Sequence, residues 1–506
     1  LEVIQTPDTK VPNSRSVEKS TRTQISSSSH TPQLTQPRHA HRHTVALKQQ
    51  ITLPTGYCLP TSAFSTFASE PRREREREMQ GIDEALGEFA IHIIISKLDP
   101  NDTARIACVN RKFKSWASED CFWSLHCAND LSISSPVDPL GNPAPSFKAA
   151  YQLWREAFSL YPWALVKRVK MCWDKLKSWL ASNFPEVLAT LHGGTTEEKL
   201  NEAENSLKVK FPLPTRLIYR MHNGQEFSDK LLGLIGGYSV YSHSVNVHML
   251  TLGQVVRVTK QVTCDLGFSS TSKYVTIAAS RVGKVFFLNC FSMQLYVGTA
   301  NLSEQGEMMP CVPTALLKSS GDEQCDGLLS WLEEHGRRLE SGMITVREEE
   351  NLKSICQFPE KPPLCTTAVT NGVQVRASAV LVPEQSDLQN SSFLFAYSIR
   401  MSLLPEGCTV HGVTFQSCQL YWRRWIIREN ETIKHDVDAE AVIGEYPLLL
   451  PGEKEFIYQS CTTQQSTRCS MEGSFTFVPG RLVEPKGDPF EAQVARFPLE
   501  MPEYIY

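Results

Sequence analysis

The apolar positions between Gly81 and about Asp130 repeat with a helical period. Ile91, Ile94, Ile95 and Leu98 fall at i, i+3, i+4 and i+7, one face of a helix. Pro100, Asn101 and Asp102 then stop that helix and offer a cap for the next. Ile106, Val109, Phe113 and Trp116 make a second stripe, and a third short helix after Ser118 presents Phe122, Trp123 and Leu125. Three short helices bury one another only in part, so some of this apolar surface is expected to seek a partner.

The pattern then changes twice. Residues 131–147 are rich in Pro and Ser and read as a linker, followed by a helical stretch anchored by Trp154, Phe158, Trp163, Trp173 and Trp179. Up to about 340 helix and strand signals mix, with Val285 to Leu288 as a buried strand and Leu328 to Leu339 as a closing amphipathic helix. From about Pro362 the reading is all-β. Phe395, Tyr397, Ile399, Met401 and Leu403 alternate with small or polar residues, the signature of a strand with one buried face. Further strand runs surround Leu420 to Ile427, Phe456 to Tyr458 and Phe475 to Val478, with turns at Pro405-Glu406-Gly407 and Pro451-Gly452. Short strands at this spacing predict an antiparallel sandwich. The fold class is therefore multidomain α+β: a small helical segment, a mixed α/β domain and a C-terminal all-β sandwich.

Residues 1–78 differ from all of this. They are rich in Ser, Thr, Pro, Gln and His and show no sustained hydrophobic period, so they are expected to be disordered. The first methionine is Met79, preceded by strict Arg-Glu alternation over residues 73–78, which is what a GA dinucleotide repeat encodes. The native start is expected at Met79, with an organelle transit peptide as the competing reading. His39, His41 and His43 are placed in the disordered tail rather than at a metal.

Composition narrows the function. At roughly 150 residues per domain, the chain has room for about three folded units. A formal net charge of −4 argues against a general nucleic-acid binder, which needs a basic surface. The longest apolar run, around Phe89 to Ile95, is too short to span a bilayer. The 15 cysteines include no C-x-x-C pair, so they read as reduced structural thiols in the cytoplasm or nucleus. No H-E-x-x-H or G-x-S-x-G occurs, and Gly233 to Gly237 match neither G-x-G-x-x-G nor a P-loop. No cofactor, metal or catalytic residue is expected.

Three resemblances sharpen these readings. Leu86, Ile91, Ile94, Ile95, Ser96, Leu98, Pro100, Asp102, Val109, Arg111, Phe113, Ala117, Phe122 and Trp123 keep the order of an F-box, with Gly87 and Phe89 departing from its start. The F-box resemblance covers 79–130 and implies docking on a Skp-type adaptor, and through it a cullin. It implies a contact made by Leu86, Ile91, Ile94, Ile95, Leu98, Pro100, Val109, Phe122 and Trp123.

Trp173, Phe211-Pro212-Leu213-Pro214, His222-Asn223-Gly224-Gln225 and Gly233 to Tyr238 resemble the SUKH superfamily over 165–340, mostly protein-binding modules. A helical connector is expected over 131–164 and a linker over 341–361. Residues 362–506 resemble ApaG domains, an immunoglobulin-like sandwich, through Phe395 to Ile399, Leu420 to Ile427, Val442 to Pro447, Pro451-Gly452-Glu453, Phe456 to Ser460, Met471 to Phe475 and Phe497 to Leu499.

Bacterial ApaG relatives carry a G-x-G-x-x-G loop considered for phosphate. Here Ala439 and Ala441 replace its first two glycines and Gly444 remains, leaving Trp422, Arg423, Arg424 and Gly444 as a possible ligand or substrate face. The order F-box, SUKH-like, ApaG is similar to that of plant Skp-interacting F-box proteins. It implies a non-catalytic substrate adaptor of an SCF ubiquitin ligase with an unknown protein substrate. The alternatives are a non-degradative scaffold and a phosphate or small-ligand sensor.

Overall fold

A computed structural model describes residues 87–227, 230–240, 243–265, 273–318, 325–349 and 352–505, and divides the chain into two compact units, 1–94 and 95–506. The leader expectations, the histidine cluster and Leu86 lie outside the described residues. In the first unit residues 87–94 are helical, with Gly87 in the left-handed region at φ +71°.

The second unit starts at Ile95, where the helical stretch ends. Leu98 lies beyond it, in a turn closed by its N–H on the Ile95 carbonyl at 3.1 Å. The four-residue stripe predicted for one helix is therefore cut short. Asp99, not the Pro-Asn-Asp triplet, caps the next helix: its carboxylate accepts the Asp102 N–H at 2.8 Å and Pro100 occupies the first turn. The second predicted stripe is also split. Helix Pro100–Ile106 stops, Val109 sits in a turn, and Asn110 caps a separate helix Arg111–Trp116 by accepting the Phe113 N–H at 2.9 Å. Helix Asp120–Leu131 follows.

These helices are fastened to what comes next. Asp130 accepts Tyr151 Oη at 2.8 Å, Trp163 Nε1 at 3.0 Å and Lys167 Nζ at 2.9 Å. It thereby ties helix Asp120–Leu131 to helices Phe147–Ala157 and Trp163–Asn183. Burial pushes its carboxyl up, but the bonds from Trp163, Lys167 and Tyr151 outweigh burial and hold it below the ordinary range. The stretch 131–147, read as linker, carries a Val137–Pro143 bridge, and Trp154 Nε1 donates to the Val137 carbonyl at 3.0 Å.

The middle domain is mixed α/β. Among the described residues its sheet has eight strands: β1 (Gly236–Val240), β2 (His243–Met249), β3 (Tyr274–Ala279), β4 (Val285–Asn289), β5 (Leu295–Gly298), β6 (Met308–Pro310), β7 (Thr345–Glu349) and β8 (Leu352–Cys356), in the order β6-β5-β4-β3-β2-β1-β8-β7. The expected strand at Val285 is β4, and the closing helix is Gly327–Glu340, capped by the buried Asp326. That carboxylate also accepts the Thr215 N–H and hydroxyl at 2.9 and 2.6 Å, so one buried group joins two helices. The stretch 341–361 is not a linker. It supplies β7 and β8, and hence the end of the sheet.

The C-terminal domain is a two-sheet sandwich. Its first sheet is β9 (Cys365–Thr370), β10 (Val373–Leu381), β11 (Phe393–Leu403) and β17 (Phe456–Gln464), ordered β17-β11-β10-β9. A small hairpin, β12 (Cys408–Val410) with β13 (Val413–Phe415), lies between the sheets in sequence. The second sheet joins β15 (Thr432–Glu440), β14 (Cys418–Glu429), β18 (Arg468–Arg481) and β20 (Phe490–Glu500), with short β16 (Leu448–Leu449) and β19 (Glu484–Pro485) beside β14 and β18. Tyr397, Trp425, Phe475 and Phe497 pack together with ring centroids 5.4–6.5 Å apart, edge-to-face except for the tilted Tyr397–Phe497 pair.

Strand β11 departs from its predicted one-sided burial. Ala396, Ser398 and Arg400, small or polar residues expected to face water, are buried as well. Arg347 of β7 donates to Ser398 Oγ at 2.8 Å, so the outward face of β11 meets the middle domain instead of solvent. Further along, the Ser239 N–H donates to Gln459 Oε1 at 2.9 Å, and Trp331 Nε1 donates to the Ile505 carbonyl at 3.1 Å.

Candidate docking face and C-terminal ligand face

Three consecutive isoleucines, 93–95, span too wide an arc of a helix to share one face. In the first unit Ile91 is only 2% exposed, whereas Phe89, Ile93 and Ile94 are 79%, 47% and 45% exposed. In the second unit Ile95 is buried, Leu98 and Pro100 are half-buried, and Val109 and Leu125 are exposed. Phe122 and Trp123, expected to face a partner, are buried. Trp123 donates its indole N–H to the Ala117 carbonyl at 2.8 Å and packs against Tyr151, centroids 5.5 Å apart. That indole holds the small helices to the connector and offers no outward surface. The expected set therefore divides into exposed Ile94 and Val109, half-buried Leu98 and Pro100, and buried Ile91, Ile95, Phe122 and Trp123. Phe89, Ile93 and Leu125 were not in that set. The signal for Phe89 and Ile93 was the width of the apolar run, which exceeds what a single buried stripe needs, and Leu125 was already legible as an apolar position of the third helix.

The residues expected to form a C-terminal ligand face do not present free cations. Arg423 Nη1 donates to the Glu440 carbonyl at 2.9 Å and to that of Ala441. Arg424 holds Asp436 with two parallel bonds at 2.9 and 2.8 Å, which keep that carboxyl below the usual range. Arg428 and Arg496 share Glu472 at 2.7 and 3.1 Å. Trp422 is half-buried. These cations are answered by this chain's own acceptors, so the arginines expected to draw an anion are already occupied. In the loop after β15 the backbone is left-handed at Ala441 (φ +60°), Ile443 (φ +46°) and Gly444 (φ +80°). The chain follows a glycine-like path with glycine at one of the three positions, so there is no cradle of glycine amides.

Among the described residues no group of three or more His, Cys, Asp or Glu could hold a metal, and no helix is long and apolar enough to cross a membrane.

Comparison with known proteins bears on both faces. The F-box domain family model matches residues 86–125 and the ApaG domain model residues 383–479. F-box protein SKIP16 of Arabidopsis thaliana is 56% identical over 440 residues, 84% of this chain and 100% of that protein. Human F-box only protein 3 is 25% identical over 443 residues, 83% of each. Protein ApaG of Anaeromyxobacter dehalogenans is 34% identical over 137 residues, 27% of this chain and 96% of its own length. A relative this similar along its entire length, together with both domain matches, leaves one conclusion: the chain belongs to the family of F-box proteins that also carry an ApaG domain.

Proposed function

We propose that this chain is the substrate-recognition adaptor of an SCF-type E3 ubiquitin ligase, working in the cytoplasm, the nucleus or both. Its F-box helices would dock on a Skp-type adaptor and so on a cullin. The middle domain, read as SUKH-like over 165–340, and the ApaG sandwich over 362–506 would hold a protein substrate. No cofactor is needed. Rate would come from holding the substrate's lysines near a charged ubiquitin carrier, a proximity effect that asks no acid or base of this chain.

The observation that carries the reading is exposed aliphatic surface inside the F-box match: Ile94 at 45% in the first unit, Val109 at 43% and Leu125 at 42% in the second. Exposed apolar side chains gathered within one short stretch mark a partner surface. Leu98 and Pro100, half-buried, would add to the second unit's part of the contact. Ile91 in the first unit and Ile95, Phe122 and Trp123 in the second are buried and would not touch the partner. The phosphate-sensor alternative loses its motive, because Arg423 and Arg424 are engaged within the sandwich.

The test is capture of purified Skp-type adaptor by the full chain and by Ile94→Asp and Val109→Asp variants. Each aspartate would place an unpaired charge in an apolar interface, so capture should fall at least tenfold while the thermal transition of the 95–506 unit stays put. Capture at the wild-type level by both variants would remove the docking assignment.

A further inference from the structure

Strand β15 is an unusual edge. It pairs with β14 along one side, and among the described residues no strand lies along its other side. Every one of its nine residues is exposed except Val437 and Ala439, which are half-buried. Thr432 to Glu440 contain neither proline nor glycine, but a bulge leaves Lys434 without a register partner and Arg423 takes the Glu440 carbonyl, so the uninterrupted open stretch is 435–439. Natural edges this long are generally covered, bent or shortened. This one ends a sheet whose other strands are firmly paired.

Its side chains are ordered as well. Beyond the bulge at Lys434, Asp436, Asp438 and Glu440 alternate onto one face of the strand. Asp436 is answered from β14 by Arg424. Asp438 stands opposite Arg424 in the register, and Glu440 stands opposite Trp422. One guanidinium, already bonded twice to Asp436, thus faces a row of three carboxylates spaced two residues apart. The row carries more negative charge than Arg424 answers, and the Tyr446 hydroxyl also donates to Glu440.

We propose that the free edge of β15 binds an extended segment of a partner protein that carries basic side chains at alternate positions, by adding it as a further strand. Main-chain hydrogen bonds would supply the grip, and the carboxylate row the choice of partner. Residues directly opposite across a ladder have Cβ atoms about 5 Å apart. Lysine or arginine at positions i and i+2 of the incoming strand would therefore meet Asp438 and Glu440 together. On the adaptor reading that segment belongs to the substrate, and the identity of the segment's owner alone depends on that reading.

The simplest competing account is that the carboxylates merely guard an edge against aggregation. A fluorescently labelled peptide of alternating lysine and threonine, titrated into the full chain, separates the two. Binding is expected, with amide exchange slowed within 432–440 and affinity lowered at least tenfold by Asp438→Lys with Glu440→Lys. The milder Asp438→Asn with Glu440→Gln pair should weaken it in the same direction, should charge reversal disturb the sheet. A peptide with the same lysines gathered in one block should bind more weakly. Absence of binding, equal binding of the block peptide, or binding that leaves exchange at 432–440 unchanged would each overturn the proposal. The Skp-type adaptor plays no part in the assay, so a failure here leaves the adaptor reading standing and the converse holds too.

Discussion

Arg347 of β7 reaches out of the middle sheet and donates to Ser398 at the centre of the sandwich strand β11, 2.8 Å away, while holding Glu360 with bonds of 3.0 and 2.7 Å. Glu360 also takes Arg376 at 3.1 Å and Arg400, so one buried carboxylate gathers three guanidinium groups from two domains. Burial, then the neighbouring Arg347 charge, pushes the Arg400 guanidinium below its ordinary range. Removing Glu360 would take a carboxylate from all three cations at once, although Arg400 and Arg376 keep Glu455 at 3.3 and 4.0 Å. Glu360→Ala should cost about 3–5 kcal/mol, the scale for breaking a buried pair on one side. Urea unfolding of the full chain measures it, and a loss below about 1 kcal/mol would show that water reaches the cluster.

Asp130 plays the corresponding part at the helical end. Its three acceptor bonds come from Tyr151, Trp163 and Lys167, and its side chain is 16% exposed. Asp130→Ala should destabilise by about 3 kcal/mol, taking about 1 kcal/mol for each bond. Amide exchange should quicken in 120–131 before it does in the sandwich, because that carboxylate, with Trp123, binds helix Asp120–Leu131 to the connector. Uniform acceleration through the whole 95–506 unit would instead mean that the connection is spread over many contacts.

His335 supplies a pH dependence. Its imidazole is buried, stacked on Trp331 at 5.0 Å, and bonded through Nε2 to the Leu234 carbonyl at 2.9 Å. Burial lowers its pKa to about 4, against 6.5 when exposed. A depressed folded-state value means the unfolded chain takes up the proton first. The contribution is complete above pH 6.5 and is lost as pH falls toward 4. The gap of about 2.5 pH units corresponds to about 3 kcal/mol. Unfolding free energies at pH 7.5, 6 and 5 should decline, and His335→Gln, which keeps a donor for Leu234, should flatten the decline. His222, lowered to about 4 chiefly by burial, acts in the same direction and accounts for a residual slope.

Periodicity located the helical segment, strand β4, the Gly327–Glu340 helix and the sandwich because each rests on local pattern. It failed where a single polar residue or a distant partner decides. Asn110 breaks what reads as one stripe from Ile106 to Trp116, since a capping bond to Phe113 outweighs continuing the helix. Trp123 looks like an outward anchor until Tyr151, 28 positions on, covers it. The small and polar residues of β11 read as a wet face, yet Arg347 lies more than fifty residues upstream and turns that face into an interface. On the C-terminal face the arginines were visible in the sequence, but not their carboxylate partners. Asp436 is brought opposite Ile426 only by the β14–β15 register, where it meets Arg424 diagonally.

The loop after β15 carries strain whose sign can be measured. Ile443 is β-branched, 48% exposed, and held at φ +46°, where its Cβ crowds the following carbonyl. Such a residue costs about 1–3 kcal/mol relative to a relaxed backbone. Glycine would relieve that cost and lose roughly 0.5–1 kcal/mol through its freer unfolded state. Ile443→Gly should therefore leave the unfolding free energy unchanged or raise it by about 1 kcal/mol, although it deletes a large aliphatic side chain. Gly444→Ala is the converse. At φ +80° an added Cβ meets no atom within 4 Å, so any loss, expected at about 1–2 kcal/mol, comes from conformation alone. Opposite signs for the two variants in urea unfolding would establish that the path of the loop, and not side-chain packing, sets its energy. A clear loss from Ile443→Gly would show instead that the isoleucine is held by contacts strong enough to pay for its backbone.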